Sequence, residues 1–349
     1  MFNHLQERGA NCQDPGNRLP RAGVAAPAPA HYFDVHPRDR RIPVAITLIE
    51  NFRAVFYAPF YAAFVLGAYA AEGVEGDQRP SSGPAETAKA LLTGGGDVVW
   101  GGPMRVLVAG DADPDCGLVS FCEIVERDPF FILGRGPAPG GGFGGIMDKK
   151  VATVREVPTP WMCFQDDLRR AGLDPDALDR IPDRSMGENA DALAAGEVDA
   201  VQVFQPLAEN LIEEAGARIW YTAAERGLTS YTVFSTTRAF MAREPDSLLR
   251  MTRAMYRTQK WIAAHSAEDF AECISGYFPD MPPEALARSL DRYLKLGIWN
   301  RTPILKREGF DRLRAACISG GLIREGIPYE VAVDMRFAET ALREDPDSM

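Results

Sequence analysis

Val98-Val99-Trp100-Gly101-Gly102-Pro103 and Val151-Ala152-Thr153-Val154-Arg155-Glu156-Val157-Pro158-Thr159-Pro160-Trp161 are two versions of one corner. In each, a short apolar run ends in glycine or proline, and a proline then stands where a helix would begin. Proline suits the first helical position because the N–H it lacks would have no intrahelical partner there. The N–H groups left free at such a corner point beyond the carboxyl end of the strand, where open α/β sheets hold their ligands. Two such corners, well separated in the chain, predict two sheets facing one cleft, an architecture for binding before catalysis.

The 349 residues, 46% apolar and 25% charged, give the chain the length for two domains and an ordinary globular composition. A net charge of −11, without a Lys/Arg stripe interleaved with aromatics, argues against a nucleic-acid partner. Cys12, Cys116, Cys122, Cys163, Cys273 and Cys317 form no CxxC pair, and of the four histidines only His265 lies beyond residue 36. No metal and no cofactor are therefore expected, and the cysteines read as small core residues. Gly140-Gly141-Gly142-Phe143-Gly144-Gly145 lacks the Lys-Ser/Thr of a phosphate loop and reads as a linker. His265 reads as the end of a helix.

Residues 1–40, rich in proline and poor in periodic apolar positions, read as a disordered leader without the apolar core of a secretory signal. No run of about 18 apolar residues occurs, so no membrane span is expected. The expected compartment is the cytoplasm as the sequence stands, or the periplasm if the natural start carries a signal peptide. Beyond the leader, Val44–Ile49 reads as a buried strand, followed by a helix with Phe56, Phe60 and Phe64 at helical spacing. Strands and helices then alternate to about Thr236, and from Arg238 the chain reads as almost wholly helical. This order predicts two α/β lobes. The first, discontinuous, spans 41–135 plus 238–340; the second spans 146–232. The glycine-rich 136–145 and the strand-like 233–237 are the expected hinge crossovers, with the ligand cleft between the lobes.

Phe56-Tyr57-Ala58-Pro59-Phe60-Tyr61-Ala62-Ala63, followed by Glu72-Gly73-Val74, resembles the opening strand–helix unit of the NMT1/THI5-like and SsuA-like substrate-binding proteins. Asp148-Lys149-Lys150-Val151-Ala152-Thr153 resembles that family's entry to its second lobe, and Ala192-Leu193-Ala194-Ala195-Gly196-Glu197-Val198-Asp199-Ala200 the segment before a second-lobe strand. The three matches, in order, cover 45–335. The resemblance implies a type II periplasmic-binding-protein fold serving an ABC importer, with an inner-membrane permease as partner. The family's ligands include thiamine pyrimidine precursors, sulfonates and nitrate. It also implies enzymatic relatives, some with a nucleophilic cysteine just after the first strand; Glu50-Asn51-Phe52 stands at that place here.

The candidate ligand-binding residues gather at the ends of the expected strands. Asn51 offers an amide and Phe52 a ring to stack on a planar ligand. Trp100, Gly101, Gly102 and Pro103 form the first corner, where glycines let the backbone come close to a ligand. Glu156, Pro158, Thr159, Pro160 and Trp161 form the second, with Thr159 as the expected N-cap and Glu156 placed to bind an amino group. Gln202 and Phe204 share one face of a strand, with Gln205 just beyond. Glu123 is a carboxylate among apolar neighbours, and Tyr231 opens the second crossover. Each has a plain structural alternative: cap, core aromatic, satisfied buried amide or solvated carboxylate. The expectation is a monomeric solute-binding protein that closes its lobes on a small polar ligand, a planar one included, with no catalytic residue. The alternative is a cytoplasmic enzyme on the same fold, acting on a pyrimidine or aromatic molecule.

Overall fold

A computed structural model describes residues 44–81 and 83–349; the expected leader lies outside the described residues. The strands are β1 (Val44–Glu50), β2 (Val74–Pro80), β3 (Val98–Gly101), β4 (Leu118–Val125), β5 (Phe131–Arg135), β6 (Lys150–Ala152), β7 (Asp179–Ile181), β8 (Ala200–Val203), β9 (Ala217–Thr222) and β10 (Thr232–Thr237). They form two five-stranded sheets, ordered β2-β1-β3-β10-β4 and β7-β6-β8-β5-β9. The two share one plan. Three parallel strands lie side by side, and a fourth strand, antiparallel to its neighbours, is supplied by the chain as it arrives from the other sheet.

β3 and β8 are buried along their whole length, which is what parallel strands covered on both faces require. β2 escapes sequence reading because Val-Glu-Gly-Asp-Gln-Arg-Pro carries almost no apolar signal. It is an edge strand, paired residue for residue with β1 from Val44↔Val74 to Glu50↔Pro80. The helix Ala58–Val65 takes Pro59 in its first turn and buries Ala58 to Ala63. Its Phe60 ring stacks on Trp100 at 4.6 Å and 14°.

The chain changes sheets at places the sequence did not indicate. Phe131–Arg135, expected in the first lobe, pairs with β8 and β9 of the second sheet. The first crossing is therefore 126–130, and the glycine-rich 136–145 lies wholly on the second-sheet side. Likewise 233–237 is the body of β10, paired with β3 and β4, so the return crossing is 223–231. A buried ion network ties the crossings together. Arg226 of the second reaches Asp128 of the first at 2.9 Å and Asp167 of the helix Thr159–Arg170 at 2.7 Å. Tyr221 donates to the same Asp167 at 2.6 Å.

The C-terminal helices brace both sheets. Pro245–Ala264 packs on Ala58–Val65, and Arg307–Ser319 packs on Thr159–Arg170. Tyr293, on Pro283–Leu296, accepts from the Gln205 N–H at 2.9 Å and donates to the Pro129 carbonyl at 3.2 Å. No helix among the described residues is long and apolar enough to cross a membrane.

Candidate functional site

The carboxyl ends of the parallel strands of both sheets converge on a hollow of about 270 Å³. Phe52 lines it from the end of β1, Phe130 from the first crossing, and Phe204 from just past β8. Val154, Glu156 and Val157 line it from the second corner, with Met186 from the start of the helix Met186–Ala195. The aromatic walls lock edge to face: Phe204 meets Phe56 at 5.1 Å and 89°, and Phe130 at 5.1 Å and 82°. Glu156 is the one charged side chain in the lining. Its Oε1 accepts from the Met186 N–H at 2.8 Å, at the positive end of that helix.

Of the residues singled out from the sequence, Phe52, Glu156 and Phe204 line this hollow. Asn51 is buried beside it; its Nδ2 donates to the Tyr57 hydroxyl at 2.8 Å, and its Oδ1 has no partner among the described residues. It lies next to the first corner, since a Cβ on Gly101 would come within 3.8 Å of the Asn51 amide. At Gly102 a Cβ would come within 3.4 Å of the Tyr231 carbonyl. Pro103 stands just before the helix Met104–Ala112, one place short of the first helical position expected for it. Tyr231 packs edge-on against Phe56 at 5.8 Å, behind the wall rather than in it.

Trp100 and Trp161 share no hollow. Trp100 is fully buried in the first sheet's core against Phe60 and Tyr61, because the helix Ala58–Val65 lays its aromatic residues on the Trp100 ring of β3. Trp161 packs in the second sheet's core with Phe164, with the Arg180 guanidinium 4.1 Å over its ring. The second corner places Pro158 before the helix, Thr159 as its first residue and Pro160 next. No side chain caps this end, so Thr159 is not an N-cap.

Two further candidates have structural partners away from the hollow, and a third keeps a buried oxygen without one among the described residues. Glu123 accepts from Asn300 Nδ2 at 2.9 Å, and burial pushes its carboxyl up to about 8. Gln205 is locked in place: its side chain donates to Glu209 Oε1 and accepts from the Glu209 N–H, both at 3.0 Å. Gln202, opposite Ile132 on β5, is buried with Oε1 unpartnered.

Four lining residues were not picked out from the sequence. Phe130 had a signal in Pro129-Phe130-Phe131, because consecutive aromatics entering a strand must face opposite sides. Val154, Val157 and Met186 carried none. A residue outside the lining, which acts on Tyr57 behind Phe52, was also missed. Arg105, in the first turn of Met104–Ala112, is half-buried, and among the described residues no carboxylate or other acceptor pairs with its guanidinium. Burial pulls its pKa below the ordinary arginine value, and the Tyr57 hydroxyl is the group that offsets this. Tyr57 in turn lies 5.2 Å from Phe52, ring to ring. Among the described residues no cluster of His, Cys, Asp or Glu is grouped to hold a metal ion.

Residues 144–275 match the model of the NMT1-like family. A Bacillus subtilis (strain 168) protein, YtlA, described as a binding protein, is 27% identical over 307 residues, 86% of this chain and 90% of its own length. The periplasmic aliphatic sulphonate binding protein SsuA from Escherichia coli superposes with a TM-score of 0.67 at 15% identity, covering 82% of this chain and 96% of that one. The desulfurization enzyme DSZB superposes with a TM-score of 0.59 at 16% identity, covering 86% and 100%. The fold is thus the periplasmic-binding-protein fold, in two α/β parts, that Phe56–Ala63 and the later motifs imply.

Proposed function

As a relative of the NMT1-like and SsuA-like binding proteins, this chain, we propose, is the solute-capturing component of an ABC importer. It holds a small ligand with a flat apolar body between Phe52, Phe130 and Phe204, and delivers it to a membrane permease. The observation that carries this reading is the hollow itself: it lies at the strand ends of both sheets, and its lining contains aromatics, aliphatics and one carboxylate. Its aromatic and aliphatic side chains offer broad contact area, which is what capture of an apolar body requires.

The walls favour an apolar body over the polar ligand that the corners alone suggest. A ring burying about 150 Å² there gains roughly 4 kcal/mol at ~25 cal/mol per Å², before the cost of association. Direction comes from two polar groups. Arg105, without a carboxylate of its own, suits an anionic head such as the sulfonate bound by the Escherichia coli relative. The second oxygen of Glu156 suits a ligand N–H. Because the ligand touches residues of both sheets, its arrival draws the two halves together about 126–130 and 223–231. Closure is the change that a permease reads, and capture takes place outside the inner membrane.

Thermal unfolding with a panel of aryl sulfonates, alkyl sulfonates, aminopyrimidines and nitrate tests the reading. A ligand at about a hundred times its Kd adds roughly 2.7 kcal/mol, a rise of several degrees. Aryl sulfonates are expected to give the largest rise. A flat response across the panel overturns the ligand class.

A further inference from the structure

One charge shares the hollow with the rings of Phe52, Phe130 and Phe204, and it belongs to Glu156. Glu156 stands in the second corner, between β6 and the helix Thr159–Arg170. Its Oε1 is anchored by the Met186 N–H at 2.8 Å, and its Oε2 has no partner among the described residues. The carboxylate is therefore held in place by one oxygen and offers the other.

The arginines of the neighbouring segments are committed elsewhere. Arg155 donates to the Asp183 carbonyl at 2.9 Å, and Arg184 lies 3.1 Å from Glu197. Arg180, on β7, donates to Thr153 Oγ1 at 2.9 Å and lies over the Trp161 ring. Among the described residues no ion pair engages Glu156. The positive end of the helix Met186–Ala195 offsets its charge by about half an elementary charge, so the hollow stays net negative at this wall.

We propose that Glu156 is the specificity-determining residue of the hollow, and that it selects ligands with a positively charged nitrogen on the flat apolar body. Such a nitrogen forms a charge-assisted hydrogen bond with Glu156 Oε2, strengthened as the phenyl rings displace water from the pair. The rings themselves attract a cation placed over their faces. A second anion brought to the same wall meets the carboxylate and is rejected. The inference rests on the capture reading of this hollow, and narrows its ligand class from aryl anions to aromatic zwitterions.

Calorimetric titration of the full chain with para-toluenesulfonate and with para-(aminomethyl)benzenesulfonate provides the test. The probes share ring and sulfonate, and the second adds an ammonium group. The wild type is expected to bind the ammonium probe about tenfold more tightly. Glu156→Gln keeps an acceptor for the Met186 N–H without the charge, at an exposed position where the core is untouched. It should cut the preference to about twofold or less and bind toluenesulfonate at least as well as the wild type. Asp191→Asn makes the same charge change at an exposed site on the helix Met186–Ala195, outside the lining, and should keep the full preference. Three results overturn the role of Glu156 and leave the capture reading in place: equal binding of both probes by the wild type, a preference kept in Glu156→Gln, or one lost equally in Asp191→Asn. Loss of toluenesulfonate binding in Glu156→Gln also overturns it, since the uncharged end needs no carboxylate. A wild type that binds neither probe overturns the capture reading, and this assignment with it.

Discussion

Glu123→Gln is the perturbation with the clearest signature. Glu123 is 1% exposed, on β4 of the first sheet. Its Oε2 accepts from Asn300 Nδ2 at 2.9 Å, and its main-chain oxygen accepts from Gln259 Nε2 at 3.0 Å. Burial is the main reason its carboxyl is pushed from an ordinary 4.5 up to about 8, and the nearby Glu126 adds to the effect while Asn300 and Lys306 oppose it. The folded chain therefore keeps a proton there that the unfolded chain has already released. Stability from this group is full below about 4.5, falls as pH rises, and is lost by about 8. Each pH interval of one is worth about 1.4 kcal/mol, so the window amounts to an upper figure on the order of 5 kcal/mol. Glutamine keeps the acceptor for Asn300 and cannot ionise. Urea unfolding of both proteins, followed by tryptophan fluorescence from about pH 5 to pH 9, reads the difference. The wild type should lose stability toward alkaline pH with a slope that the variant lacks, and near about pH 9 the variant should be the more stable of the two. Parallel profiles across that range refute the reasoning.

The remaining predictions concern stability. Arg226→Met leaves Asp128 and Asp167 buried without their shared cation, and should cost about 3–5 kcal/mol in chemical denaturation; a loss under about 1 kcal/mol contradicts the network. Ser185→Ala removes one half of a capping box with Glu188 and should cost about 1 kcal/mol, whereas Thr159→Ala should be nearly silent, because Thr159 caps nothing. Equal losses in a denaturant titration of the two variants contradict that contrast. Gly134→Ala should destabilise strongly, because a Cβ there would fall 2.1 Å from the Trp220 ring; wild-type stability in the same titration would show that Trp220 moves aside freely.

The amino-acid sequence carried the fold through its corners and its resemblance. Val98–Gly101 and Val151–Ala152 are apolar runs followed by a proline just before a helix, and both became interior strands whose carboxyl ends lead to those helices. The crossings were hidden because glycine content is a poor marker of a change of sheet. The tract 136–145 runs through a loop into the short helix Phe143–Met147 on the way to β6, while the informative residues were Pro129-Phe130-Phe131. The tryptophans misled for a related reason. Each large ring is claimed by the element packed on it: Phe60 of the helix Ala58–Val65 stacks on Trp100, and Arg180 of β7 lies over Trp161, itself on the helix Thr159–Arg170. Phe52 and Phe204 line the hollow because they lie two residues past β1 and one residue past β8, at the carboxyl ends of those strands. Arg105 was illegible for another reason: what sets it apart is a missing carboxylate, which only the packing can reveal.

The central claim is that the hollow between the two sheets is where a small molecule is held. A crystal structure grown with whichever aryl sulfonate most raises the unfolding temperature is the most direct measurement. The account predicts the ring in contact with Phe52, Phe130 and Phe204, and the sulfonate on the Arg105 side. Density for the ligand anywhere else on the molecule, with that hollow left to solvent, would contradict it.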